Sequence, residues 1–217
     1  MSFAPTLKYL FVDSNVLTSL TITPYLEQLS ADSNHLTAIN IDLSAFYKLR
    51  KLSIESNNFE SISQPVYPFY NLQELSVAQN AIPGIHLPTI FSKLPRLNML
   101  NISLSAVGTF GSANEVKQTR LKVLDLSNNT LTAEELEKVK NLPGLEKFNI
   151  GGNHFDHFEA DVVLNNLPKL KTLELSDSEL TCDFTKYIEG LAKQLHFTVE
   201  TYVYTDQFKQ KCGGQTD

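Results

Sequence analysis

Residues 121–131 read LKVLDLSNNTL. Apolar side chains stand at Leu121, Leu124, Leu126 and Leu131, with Asn129 among them. That spacing follows neither the stripe of an amphipathic helix nor the plain alternation of one strand. Leu124 and Leu126 are two apart, the period of a short strand that buries one face. An asparagine three residues later carries a carboxamide that both donates and accepts, so it can pair backbone groups that a buried turn would leave unmatched. The stretch therefore reads as a short strand, a turn built on an amide, and a return to the core.

The spacing recurs until eight copies fill most of the chain. Leu7, Leu10, Val12, Asn15, Leu17 is the first, and Leu26, Leu29, Ala31, Asn34, Leu36 the second. Leu49, Leu52, Ile54, Asn57, Phe59 and Leu72, Leu75, Val77, Asn80, Ile82 follow. The fifth, Leu97, Leu100, Ile102, Ser105, Val107, has serine in place of the asparagine. After the quoted copy come Leu145, Phe148, Ile150, Asn153, Phe155 and Leu170, Leu173, Leu175, Ser178, Leu180. The interval runs from 19 to 25 residues. One copy cannot bury its own apolar side, but a neighbour on each side can. Eight strands stacked about 4.8 Å apart predict a parallel sheet on the order of 35 Å long. Asn15, Asn34, Asn57, Asn80, Asn129 and Asn153 then form a ladder of amides along it.

This pattern resembles the leucine-rich repeat over residues 7–181. The resemblance implies an α/β leucine-rich-repeat solenoid, a right-handed β-α superhelix shaped as a horseshoe, with a parallel concave sheet and a mixed convex side. Residues 83–96, 133–144 and 157–169 have helix-like spacing and run into Leu-Pro, a helix stop. Residues 17–29 and 36–49 alternate and are rich in Thr and Ile, which predicts extended backs for the early copies. The solenoid is read as residues 1–181, and 182–217 as a C-terminal cap. The cap is a helix over DFTKYIEGLAKQLHF (183–197), with Phe184, Tyr187, Ile188, Leu191 and Leu195 on one face, then a strand over TVETYVYT (198–205). Cys182 and Cys212 flank it. A bond between them would close a loop of about 30 residues and contribute roughly 3–4 kcal/mol on the loop-entropy model; it would also point to an oxidising compartment. The other reading is two reduced thiols in a cytosolic protein.

A net charge of -6 and a pI near 5.4 argue against nucleic acid or an anionic membrane as partner. No apolar run approaches the ~20 residues that cross a bilayer. Met1 runs within six residues into the first copy, with no signal peptide and no polar cap ahead of it. That reads as a chain trimmed at its start; the alternative is a natural cytosolic chain with a frayed first copy.

Among leucine-rich repeats the chain is similar to the extracellular, cysteine-capped kind, and more narrowly to the leucine-rich-repeat immune proteins of mosquitoes and other insects. The shared features are short early copies with β-like backs (18–41) and a cap that opens with C-x-F and closes with one late cysteine. That resemblance implies a secreted haemolymph protein of innate immunity. It also implies a protein partner: a complement-like thioester protein or another leucine-rich-repeat protein. Members of that family pair through C-terminal coiled coils, to which no residue here corresponds, and no tryptophan precedes the first cap cysteine.

No cysteine, serine or lysine shows a partner that would make it a nucleophile. His154 and His157 lie among Asp156, Glu159 and Asp161, but the spacing matches no established metal site. The reading is a binding module rather than an enzyme, with no cofactor and no metal; an intracellular scaffold or regulatory subunit is the alternative. Candidate contacts are strand residues facing away from the core: Tyr9, Phe11, Asp13, Asp32, Lys51, Glu55, Glu74 and Met99. Asp13, Asp32 and Glu55 share a column and predict an acidic strip, while Tyr9 and Phe11 are aromatics of the kind that anchor interfaces. Asn101 and Asn128 open N-glycosylation sequons. AVGTFGSANEVKQ (106–118) is predicted to be a looser loop and a second contact surface.

Overall fold

Leu10, Leu29, Leu52, Leu75, Leu100, Leu124, Phe148 and Leu173 each form the buried centre of a three-residue strand. The computed structural model describes residues 6–42, 45–62, 69–109, 120–176, 178 and 180–201. The strands are β1 (Tyr9–Phe11), β3 (Gln28–Ser30), β5 (Lys51–Ser53), β6 (Glu74–Ser76), β7 (Met99–Asn101), β8 (Val123–Asp125), β9 (Lys147–Asn149) and β10 (Thr172–Glu174). A ninth strand, β11 (Thr198–Glu200), extends the same sheet beyond the eight that the repeat count predicts. All pair in parallel with their neighbours, and the central apolar residues stay in register from Leu10↔Leu29 to Leu173↔Val199.

The backs of the coils differ along the chain. Residues 17–29 and 36–49 contribute β2 (Leu20–Thr21) and β4 (Ile39–Asn40), which pair in a second parallel sheet. Later backs are helical: α1 (Leu87–Lys93), α2 (Ala133–Leu136) running into a 3-10 turn (Glu137–Asn141), and α3 (Ala160–Leu164). His86 caps α1, its Nδ1 accepting the Thr89 N–H at 3.2 Å. α4 (Cys182–Leu195) starts at Thr181, whose hydroxyl accepts the Phe184 N–H at 3.3 Å, and ends at His196 with a left-handed φ of 64°. α4 buries Thr185, Ile188, Leu191 and Ala192. Tyr187, predicted for that buried face, is instead 44% exposed, because its hydroxyl turns outward to donate to Asp161. Of the predicted strand 198–205, residues 202–205 lie outside the described residues, as does 110–118 of the predicted loop. Among the described residues no helix is long and apolar enough to cross a membrane.

The amides stitch these coils together. Asn129 Nδ2 donates to the Ile102, Leu126 and Ser127 carbonyls at 2.8, 3.0 and 3.3 Å. Asn34, Asn80 and Asn153 make the same three kinds of bond, each including one to the preceding coil, and Asn57 reaches Ala31 and Glu55. Each Oδ1 accepts a backbone N–H of the preceding coil: Leu17, Leu36, Phe59, Val107 and Leu131 give theirs to Asn34, Asn57, Asn80, Asn129 and Asn153 at 2.9–3.1 Å. These five asparagines are buried. Asn15 is exposed, and among the described residues its Nδ2 donates to the Val12 and Asp13 carbonyls of its own coil. Where Ser105 replaces the amide, its hydroxyl donates to the Ser103 carbonyl at 3.0 Å and accepts the Asn80 N–H at 3.5 Å. Asn129 then serves two donors, the Ser105 and Val107 N–H groups.

The residue before each of these positions has a left-handed backbone: Ser14, Ser33, Ser56, Gln79, Leu104, Asn128 and Gly152, with φ from 51° to 64°. An L-residue pays on the order of 1 kcal/mol for this conformation. In return each left-handed N–H meets a carbonyl of the next coil, as Ser33 does Glu55 at 2.9 Å. Only Gly152 takes the conformation without steric cost. Beside it, Gly151 lies so close to β10's exit that an added Cβ would stand 2.3 Å from the Ser176 carbonyl oxygen.

Asn129→Ala leaves two buried N–H groups without an acceptor, so a loss of roughly 2–6 kcal/mol is expected, at about 1–3 kcal/mol per unmatched donor. Asn15→Ala, on an exposed amide, is expected to cost about 1 kcal/mol or less. Urea denaturation of the two variants checks the contrast.

Candidate functional site

The sheet face turned away from the core carries the candidate residues in columns set by strand register. One column runs Tyr9, Gln28, Lys51, Glu74, Met99, Val123. The next runs Phe11, Ser30, Ser53, Ser76, Asn101, Asp125. Tyr9 and Phe11 lie side by side on β1 and are 55% and 60% exposed. Among the described residues β1 is an edge strand of the sheet. Lys51 and Glu74 pair across β5 and β6 at 2.8 Å, so their charges offset one another. Met99 is half-buried next to Glu74.

The acids of the predicted strip have a second task. Asp13, Asp32 and Glu55 do share a column, but their carboxylates brace the sheet laterally. Asp13 Oδ1 accepts the Ser30 hydroxyl at 2.6 Å and the Asp32 N–H at 2.8 Å. Asp32 Oδ1 accepts the Ser53 hydroxyl and the Glu55 N–H, each at 2.7 Å. Glu55 accepts from the Ser76 hydroxyl, and from Asn101 Nδ2 at 3.4 Å. A carboxylate that receives donors from the next coil holds register as well as presenting charge. The signal was present in the sequence as Ser-x-Asp and Ser-x-Glu at 30–32 and 53–55, one coil after each acid.

At the other end the face turns acidic. Asp125 accepts the Ser127 N–H at 3.0 Å and Asn149 Nδ2 at 3.2 Å. Asp125, Glu174 and Glu200 line a hollow of about 210 Å³, together with Lys147 and Asn149. Burial raises the Glu174 pKa above the usual carboxylate range, and the charges of Asp125 and Glu200 push the same way. Sequence reasoning predicts a strand over 198–205 but assigns it to the cap, so it missed that β11 joins the sheet and sets Glu200 beside Glu174.

The remaining candidates are dispersed. Asn101 is half-buried, its Oδ1 taking the Ser103 N–H at 3.0 Å, whereas Asn128 is exposed on its left-handed turn. Cys182 is the first residue of α4, and Cys212 lies outside the described residues. His157 Nδ1 stands 2.5 Å from Asp156 Oδ1 on the surface, and that hydrogen bond lowers the Asp156 pKa. Among the described residues no group of three His, Cys, Asp or Glu gathers to hold a metal.

A sequence model of the leucine-rich repeat matches residues 119–180. The chain also overlays an internalin C2 of Listeria monocytogenes with a TM-score of 0.68 at 22% identity, covering 89% of this chain and 80% of that one. The fold is that of the leucine-rich repeats. A leucine-rich-repeat protein of Leptospira interrogans overlays at a TM-score of 0.65 and 21% identity, over 89% of this chain and 54% of that one. The mosquito LRIM1/APL1C complex overlays at 0.70 and 21% identity, over 95% of this chain and 40% of that one. The chain thus spans about half or less of the length of the Leptospira and mosquito proteins. At these identities the likeness is one of fold.

Glu174 has a raised pKa, so it favours the folded state when protonated and loses that contribution as pH climbs through its folded pKa. Glu174→Gln is therefore expected to raise the melting temperature at pH 7, with the gain vanishing below the ordinary glutamate pKa. Thermal melts from pH 3 to pH 8 measure it.

Proposed function

We propose that this chain is a secreted recognition module of innate immunity that binds another protein through the open face or an edge of its sheet and performs no catalysis. The observation that carries the reading is the exposed Tyr9–Phe11 pair on β1, an edge strand among the nine described strands of the sheet. Large aromatics left exposed together on a rigid face are characteristic of binding surfaces. The leucine-rich-repeat fold supports it, since such solenoids present extended surfaces to partners. The immune role, and another leucine-rich-repeat protein or a complement-like thioester protein as the partner, come from the resemblance to mosquito proteins, one of whose structures is a complex of two different chains.

Secretion goes together with a Cys182–Cys212 bond across the cap and with sugar on the exposed Asn128. Protein purified from its natural source is expected to show no free thiol under denaturing titration. Two free thiols would place it instead among intracellular scaffolds. Tyr9→Ala combined with Phe11→Ala is expected to weaken partner binding more than tenfold, the equivalent of about 1.4 kcal/mol, while leaving the melting temperature within a few degrees; affinity of the purified partner for both forms, by surface plasmon resonance, tests it.

A further inference from the structure

The residue just before each strand also forms a column, on the flank where the chain enters the sheet. Its middle members are Arg50, Gln73, Asn98 and Lys122, and successive backbone N–H groups bond the preceding carbonyl at 2.8 Å. Two residues earlier in each coil stand Lys48, Asn71, Arg96 and Arg120. With Lys8, Lys169 and Lys171, these two columns hold eight of the chain's 18 Lys and Arg but only two of its 24 Asp and Glu. Those two, Glu27 and Glu146, are already paired: Glu27 with Lys8 at 3.1 Å, Glu146 with Lys122 at 3.1 Å and Lys171 at 2.5 Å. In a chain of net charge -6 this is a concentrated positive surface. Among the described residues of these two columns, five exposed cations and no acid stand between Glu27 and Glu146, with Lys122 sharing the Glu146 carboxylate. Gln73, Arg96, Asn98, Arg120 and Lys122 line a shallow hollow there of about 580 Å³.

We propose that this flank docks an acidic segment of a partner protein. The proposal rests on the protein-binding reading and assigns that reading a second surface. Arginine forks match carboxylates in a planar, two-bonded geometry, and the amides of Gln73 and Asn98 between the cations suit a peptide backbone. The positive stretch is short. Three strand intervals separate Arg50 from Lys122, about 14 Å, which an extended segment of about four or five residues spans. A long polyanion such as a sulfated polysaccharide or a nucleic acid would run past both ends onto Glu27 and Glu146 and against the net negative charge.

Fluorescence anisotropy with a labelled hexaglutamate peptide at 50 mM salt tests this, with a heparin-derived hexasaccharide as competitor. Wild-type protein is expected to bind the peptide. Arg96→Ala with Arg120→Ala is expected to weaken binding at least tenfold, as is a second variant, Arg96→Gln with Lys122→Gln. Lys169→Ala with Lys171→Ala, outside the stretch, is expected to change it less than twofold. Circular dichroism melts establish that each variant is folded. No peptide binding, equal binding by the folded Arg96 variants, or displacement of the peptide by the hexasaccharide at a concentration below the peptide's own Kd would each overturn the proposal, the last in favour of a polysaccharide. Tyr9→Ala with Phe11→Ala leaves this flank intact. If that variant loses the partner while hexaglutamate fails to bind wild-type protein, the flank falls and the protein-binding reading stands.

Discussion

Asn34, Asn57, Asn80, Asn129 and Asn153 each use one carboxamide for two tasks. Nδ2 closes the turn after its own strand and reaches back to the coil before, while Oδ1 takes an N–H of that earlier coil. The turn must be buried for the coils to touch, and a buried turn with unmatched amides would cost about 1–3 kcal/mol for each. The parallel sheet, the left-handed residue before each asparagine and the close approach at Gly151 all follow from meeting that condition once per coil.

The strands and the amide ladder were legible because both are periodic in one coil. An apolar pair two residues apart with an asparagine three residues on admits little besides a strand and a buried turn. The extended early backs were legible as well, from alternating Thr and Ile that become β2 and β4. What stayed hidden depends on neighbours about two dozen residues away. Asp13 and Asp32 read as an acidic strip alone because their donors, Ser30 and Ser53, sit in the next copy. Tyr187 looked like a core residue because helical spacing cannot show that Asp161 awaits its hydroxyl. Arg50, Arg96 and Arg120 stand two dozen or more residues apart along the chain, and the flank they share exists only once the sheet sets their coils side by side.

The electrostatics follow from the same geometry. A solenoid converts any preference repeated at one position of the copy into a stripe along the whole molecule. The position before the strand favours Lys and Arg, and the position two residues after it favours Asp, Glu and Ser. The sheet is therefore basic along its entry flank and acidic or hydroxylic along its exit. The acids at the exit are largely engaged in holding the next coil, whereas Arg50 and Arg96 at the entry have no ion-pair partner among the described residues.

The amide ladder also has a direction. The N–H groups of Leu17, Leu36, Phe59, Val107 and Leu131 are all answered from the coil that follows, never from the one before. On a ribosome, where the amino-terminal part emerges first, each turn stays chemically incomplete until its successor has been synthesised. Maturation would then trail translation by one coil from start to finish, like a zip whose slider cannot overtake the hand that feeds it.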